Sequence, residues 1–313
     1  MTTTNGGRSH GLEIIDPIQV NTVIWLRSVP ENELGPSERM VHDLAIATIG
    51  NPFAFEEIVV SDRAEMLGTL TTIAERCATG LRPILHFDCH GSEAEGLRLA
   101  PSAENVGWED LADALRAINV ATGNNLCCIF GVCFGLHLSL TLDLKKPSPY
   151  FLTIAPERKI EVGVLERYLP DFYAALFKTQ HITNAFETHL RPHLTLYNCK
   201  ALVVQSLAQF WATFAMGKGL KRWRERNVSL ALAAHGISQP TAAQLGYTRQ
   251  VVKRTLRPTQ AIIAEYAKSF LIGRDLGFGV EEVMRLATGY KGHLERQQRR
   301  QERARKSRPV RER

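Results

Sequence analysis

Apolar and polar positions change their period several times along the chain. Residues 19–26 (QVNTVIWL) are rich in β-formers and end near Pro30. Residues 38–49 (ERMVHDLAIATI) have helical periodicity, and 56–60 (EEIVV) predict a strand. Residues 62–78 return to helix through Met66, Leu67, Leu70, Ile73 and Ala74. After Pro83, ILHFDCHG predicts a short apolar strand that breaks at Gly91. Residues 108–120 predict an amphipathic helix with Trp108, Leu111, Leu115 and Ile118 on one face. NNLCCIFGVCFG is almost continuously apolar, as in a strand buried on both faces. SPYFLTIAP predicts one more strand, and VLERYLPDFYAALFK a helix kinked or broken at Pro170.

This alternation predicts an α/β fold, a mostly parallel sheet flanked by helices. Ligands and catalytic groups in such folds gather at the carboxyl ends of the strands. Beyond about residue 180 the strand signal fades. ALVVQSLAQFWATFAM, VSLALAAH, PTQAIIAEYAKSFLIG and GVEEVMRLATG predict a mainly α-helical C-terminal region. The expected organisation is a first domain over 1–200, a helical domain over 201–293, and a basic disordered tail over 294–313 that is too charged and apolar-poor to pack. Extension of the last helix into that tail is the alternative.

Charge sharpens the picture. The 313 residues carry 38 Lys/Arg and 32 Asp/Glu, a formal +6. Residues 294–313 alone hold nine Lys/Arg and three Asp/Glu, and the other 293 hold 29 of each. A chain basic throughout and built to wrap nucleic acid is excluded. The polar start MTTTNGGRSH lacks an apolar stretch of the secretory kind, and no apolar run approaches the ~18 residues of a membrane span. Six cysteines are too sparse for a disulfide scaffold, so reduced thiols and a cytoplasmic setting are expected.

The chemically informative pair is His90 and Cys133. Each stands at the end of a predicted strand, 43 residues apart, which leaves room for one helical crossover and a small hairpin. Neighbouring strands would set imidazole and thiol across one cleft, with the imidazole taking the thiol proton as attack proceeds. Gly91 offers a backbone N–H that a substrate can approach closely, and the N–H of Cys133 is the natural second oxyanion donor. A rival reading takes His86, Asp88 and His90, which alternate on one strand face, as metal ligands. His86 and Asp88 are expected instead to line the cleft or to bond one another. A further rival lies in TAAQLGYTRQVVKRTL. Ala242, Gly246 and Val252 have the spacing of a helix-turn-helix with its turn at Gly246 and Arg249, Lys253 and Arg254 on the second helix.

ILHFDCHG, then GLRLA, WEDLADAL and NNLCCIFGVC, resembles the caspase-like (clan CD) cysteine peptidases, most nearly the CHAT branch related to separases. That branch shows a strand ending in His-Gly, a hairpin with a Leu-x-Leu element, a helix opening near an acidic residue, and a strand ending in the nucleophilic Cys. Leu97, Arg98 and Leu99 match the hairpin, Glu109 and Asp110 open the helix, and Phe172-Tyr173 matches a pair common in a later helix. The likeness covers about residues 20–180. Val132 and Phe134 depart from it, since small residues usually flank the Cys. The resemblance implies a regulated, intracellular cysteine endopeptidase with His90 and Cys133 as its dyad and no metal or organic cofactor. It also implies a protein substrate and a regulatory protein partner; bacterial members often serve in defence or programmed cell death. Asp88 and Glu157 are the expected substrate contacts and favour a basic residue before the scissile bond. The alternative is an inactive fold that serves as a binding module. In that reading a protein or nucleic acid engages 238–256 and the basic tail.

Overall fold

The computed structural model of the chain describes residues 17–306. Residue contacts divide it into two compact units. The first comprises residues up to 201 together with 266–275, and the second comprises 202–265 with the residues from 276 onward.

The first unit is built on β1 (Thr22–Ser28), α1 (Leu34–Thr48), β2 (Ala54–Val59), α2 (Arg63–Ala78), β3 (Pro83–Ser92), β4 (Gly96–Arg98), β5 (Asn105–Val106), α3 (Trp108–Ala121), β6 (Cys127–Phe130), β7 (Leu152–Ala155), α4 (Val162–Thr179), α5 (Ile182–His189) and β8 (Thr195–Asn198). The main sheet runs in the order β2-β1-β3-β6-β7-β8. All neighbouring pairs are parallel except β7–β8. The protein is therefore an α/β fold with a mostly parallel mixed sheet flanked by helices. Periodicity had placed most of these elements. The short β8 and α5 lie where the sequence signal had faded.

Sequence explains the layering. Val23, Ile24, Trp25 and Leu26 are all inaccessible to solvent, as are the four residues of β6, so these strands are apolar on both faces. Alternate residues Val23, Trp25, Ile84, Cys127 and Ile129 join Met40 and Leu44 of α1 and Leu165, Leu169, Phe172 and Tyr173 of α4 in one core. The chain steps one way from β1 to β2 and the other way from β2 to β3. Right-handed crossovers then place α1 and α2 on opposite faces. Pro170 sits inside α4 without ending it. Residues 266–275 belong with this unit because Arg274 donates to the carbonyls of Asn124 (2.7 Å) and Pro17 (2.6 Å) and lies over the Phe151 ring.

Two strand ends differ from expectation. β3 does not stop at Gly91 but continues to Ser92, because His90, Gly91 and Ser92 pair antiparallel with Arg98, Leu97 and Gly96 of β4. β6 ends at Phe130, so Cys133 lies three residues beyond it rather than at its last position.

The second unit holds most of α6 (Cys199–Phe214), with α7 (Gly217–Ala234), α8 (Ala242–Thr255), α9 (Gln260–Ser269) as far as Glu265, and α10 (Val280–Lys306). The expected turn at Gly246 is absent. Gly246 lies inside one continuous helix, α8, whose start is fixed by a Thr241–Gln244 capping box. The pairing is instead between α7 and α8, through Val228, Leu232 and Val252 with Ile237, Leu245 and Leu256 around them. The tail is not wholly irregular, since residues 294–306 continue α10; 307–313 lie outside the described residues. No described helix is long and apolar enough to cross a membrane.

Candidate active site

β3 and β6 run parallel with a fixed offset of 43 residues, from Ile84 beside Cys127 to Phe87 beside Phe130. The N–H of Gly131 still donates to the Phe87 carbonyl at 2.9 Å, which holds the chain beside β3 past the end of β6. Beyond that bond strand pairing no longer fixes the offset, and the Cys133 thiol exchanges hydrogen bonds with the Ile160 backbone rather than with His90. Contact between the segments is direct: a Cβ built on Gly91 would collide with the Cys133 carbonyl oxygen and with Cγ1 of Val132. Gly91 is thus required by the approach of two backbones, and the His-Gly strand end and the cysteine loop form one surface.

Both key side chains meet segments leading into the α1/α4 layer. His90 Nε2 lies 3.2 Å from Oε2 of Glu33, the residue before α1, and both side chains are nearly half exposed. This pair stands at the carboxyl ends of β1 and β3, where the strand order reverses, the usual position for a ligand crevice. Cys133 Sγ receives the N–H of Ile160, just ahead of α4, at 3.4 Å. Cys77, Cys89, Cys127, Cys128 and Cys199 are buried, whereas Cys133 is partly exposed. Burial pushes the thiols of Cys89, Cys127 and Cys128 up, that of Cys77 to about 11 and that of Cys199 to about 12.

The cysteine loop is held tightly. Val132 is fully buried, and Phe134 adopts the left-handed conformation (φ 61°, ψ 18°), unusual for a bulky residue and a form of local strain that concentrates at functional sites. Phe134 N–H donates to the Arg158 carbonyl and Leu136 N–H to that of Pro156, both at 3.1 Å, so the loop after β7 braces the loop after β6. The hairpin after β3 is anchored by buried Leu97 and Leu99. The Trp108 indole N–H, at the start of α3, donates to the Ser92 and Glu93 carbonyls.

The remaining expected residues divide. Glu157 is exposed on the loop after β7, where its carboxylate accepts from the Thr195 hydroxyl at 3.1 Å. Asp88 is not on an open wall. It is buried, and its Oδ2 accepts from the Trp25 indole (3.1 Å) and from the Ser37 hydroxyl. Its burial raises the carboxyl pKa, a shift those two hydrogen bonds oppose. His86 does not bond Asp88 either. Its Nδ1 lies 2.9 Å from the Tyr173 hydroxyl and its ring stacks on Trp25 at 3.6 Å. Burial lowers its pKa to about 3. Trp25, Ser37 and Tyr173 thus hold two of the three residues of the metal reading, His86 and Asp88, and no group of three or more His, Cys, Asp or Glu among the described residues is arranged to hold a metal. Glu33 escaped sequence reasoning because it lies 57 residues before His90 in a segment with no motif. His137, which the metal reading would have needed as a further ligand, is a second imidazole near the cysteine loop and lies 3.5 Å from Glu93. No protein-family model matches the chain, and no curated protein matches it significantly.

Proposed function

We propose that the first unit is a cysteine endopeptidase of caspase-like, CHAT-related architecture, with Cys133 as nucleophile and His90 as general acid and base. The observation that carries this is the 43-residue register between β3 and β6, which brings the His90-Gly91 strand end onto the backbone of a partly exposed cysteine. The succession of His-Gly strand, Leu97–Leu99 hairpin, α3 opening on Glu109 and Asp110, and β6 leading to Cys133 supports the same family reading.

The contacts support the following chemistry. With Glu33 accepting a hydrogen bond from the Nε2–H of His90, 3.2 Å away, Nδ1 is the nitrogen that takes the thiol proton as substrate binds. The Ile160 N–H stabilises developing thiolate. Sulfur bonds to the scissile carbonyl carbon, and the N–H groups of Gly91 and Cys133 receive the oxyanion. Collapse breaks the C–N bond while His90 protonates the leaving amine. Water, deprotonated by His90, then hydrolyses the thioester and frees the Cys133 thiol.

The loops around this centre carry Glu31, Glu33, Glu93, Glu95, Glu157 and Glu161 against Arg98, Arg158 and Lys159. That excess of negative charge supports a preference for a basic side chain before the scissile bond, with Glu157 as the contact and Asp88 as a buried support of the wall.

The test is active-site labelling. A peptide electrophile with Arg next to its warhead is expected to modify Cys133 of the folded protein, and His90→Ala is expected to slow modification at least tenfold. Peptide libraries are expected to show cleavage after Arg or Lys. Failure to label Cys133, with the other thiols equally silent, would overturn the enzyme reading in favour of a binding module.

A further inference from the structure

The division into two units changes the distribution of charge. Residues of the first unit include 18 Lys/Arg and 25 Asp/Glu, whereas those of the second include 20 Lys/Arg and only 7 Asp/Glu. The basic excess is therefore not confined to the tail: before residue 294 the second unit already has 11 basic residues against four acidic ones. Fifteen of its 20 cations are arginine, whose planar guanidinium bonds phosphate oxygens in pairs.

The α7–α8 hairpin gives this charge a rigid platform. Its apolar seam is Val228, Leu232 and Val252. α7 has one acidic residue, Glu225, and α8 none. Glu225 is taken by Arg249, 2.8 Å away, so the pair braces the hairpin. Opposite the seam, α8 presents Tyr247, Gln250, Val251 and Arg254, with Tyr247 71% exposed; α7 presents Arg222 and Arg226 to solvent. Lys253 and Arg257 are exposed beside them. An aromatic ring, an amide and several cations on solvent-facing helix surfaces suit bases and phosphates. They suit a bilayer poorly: the sequence from 291 to 306 holds seven Lys/Arg and only Leu294 and Ala304 as apolar residues, too few for a lipid-binding composition.

We infer that the second unit binds nucleic acid, with α8 laid along the strand and arginines of α7, α8 and α10 neutralising its phosphates. The site does not depend on the Cys133 chemistry and places polyanion recognition outside the first unit.

The experiment is fluorescence anisotropy of the full chain with a 20-nucleotide single-stranded RNA, the matching single-stranded DNA and a DNA duplex. The salt range runs from about 50 to about 200 mM, across which counterion release is steep. Expected are binding at the lower salt, more than tenfold weakening at the higher, and a salt slope reduced by about 2 in the K253E/R254E variant. Tyr247→Ala is expected to weaken single strands more than duplex if bases stack on the ring, and both equally if α8 contacts only phosphates; either result supports the site. Circular dichroism confirms that the variants are folded. Absence of binding at the lower salt would overturn the inference. So would unchanged affinity in K253E/R254E, or binding only to phosphatidylserine vesicles.

Discussion

His86 and Gly91 show how single residues of β3 are set by what lies across from them. The His86 ring is inside the fold with a pKa near 3, while in an unfolded chain it titrates near the usual ~6.5. Between those values the unfolded chain binds a proton that the folded chain refuses, so stability is lost as pH falls below about 6.5, by at most ~1.4 kcal/mol per pH unit. Asp88 has the opposite sign: with its folded pKa raised, it favours the folded state at acid pH and loses that contribution as pH rises. Urea unfolding at pH 7.5, 6 and 5 is expected to show a flatter acid limb for His86→Gln, and an equal slope in variant and parent would contradict the assignment. For Gly91→Ala, collision with the Cys133 carbonyl predicts a loss of about 1–3 kcal/mol from overpacking, together with loss of Cys133 labelling. In the proposed dyad Glu33 acts through His90, as a positioning residue. Glu33→Gln is expected to lower kcat only about two- to fivefold, the scale of an exposed pair, with KM unchanged. Glu33→Asp is expected to recover part of that loss.

At the scale of elements, legibility follows the strength and length of the periodic signal. β1, α2, α3 and α4 were readable because each carries a clear apolar face or run. The ends of β3 and β6 were not, because the antiparallel pairing to β4 and the 131–135 turn are set by partners distant in sequence. The places of Gly91 and Cys133 near the ends of neighbouring strands were legible from the alternation, and their chemistry stands as the proposal. Glu33 and Ile160 became visible only when loops converged. The misplaced turn at Gly246 has a local cause: glycine lowers helix propensity by about 1 kcal/mol relative to Ala. Here the capping box and the seam to α7 outweigh that deficit and α8 stays continuous. Thr241→Ala removes the cap and is expected to destabilise the second unit by about 1 kcal/mol. Hydrogen exchange in α7 and α8 should rise while β1 and β6 stay protected. Equal loosening of both would show that the two units do not unfold separately.

At the scale of the whole molecule, neutrality turns out to be a sum of opposites. Residues 1–293 carry 29 basic and 29 acidic side chains, which reads as an uncharged body in front of a basic tail. The contact division separates them into 18 against 25 in the first unit and 11 against four in the rest. An acidic unit disfavours polyanions and, in the proposed peptidase reading, favours cationic peptides, while a basic unit does the reverse; both effects fade beyond a Debye length of about 10 Å at 0.1 M salt. The two descriptions differ in an observable. A chain truncated after His293 has no formal net charge. If its charges were mixed evenly, it would pass through both anion and cation exchangers at pH 7.5 and low salt. Segregated charge presents a coherent surface to each resin, so the truncated protein is expected to be retained by both. Reversing Lys253 and Arg254 to Glu should then shorten retention on the cation exchanger and leave the anion exchanger's hold intact or stronger. Flow-through on both resins would mean that the two units do not present their charges as separate surfaces, and electrostatic sorting of substrate and polyanion would fall with it.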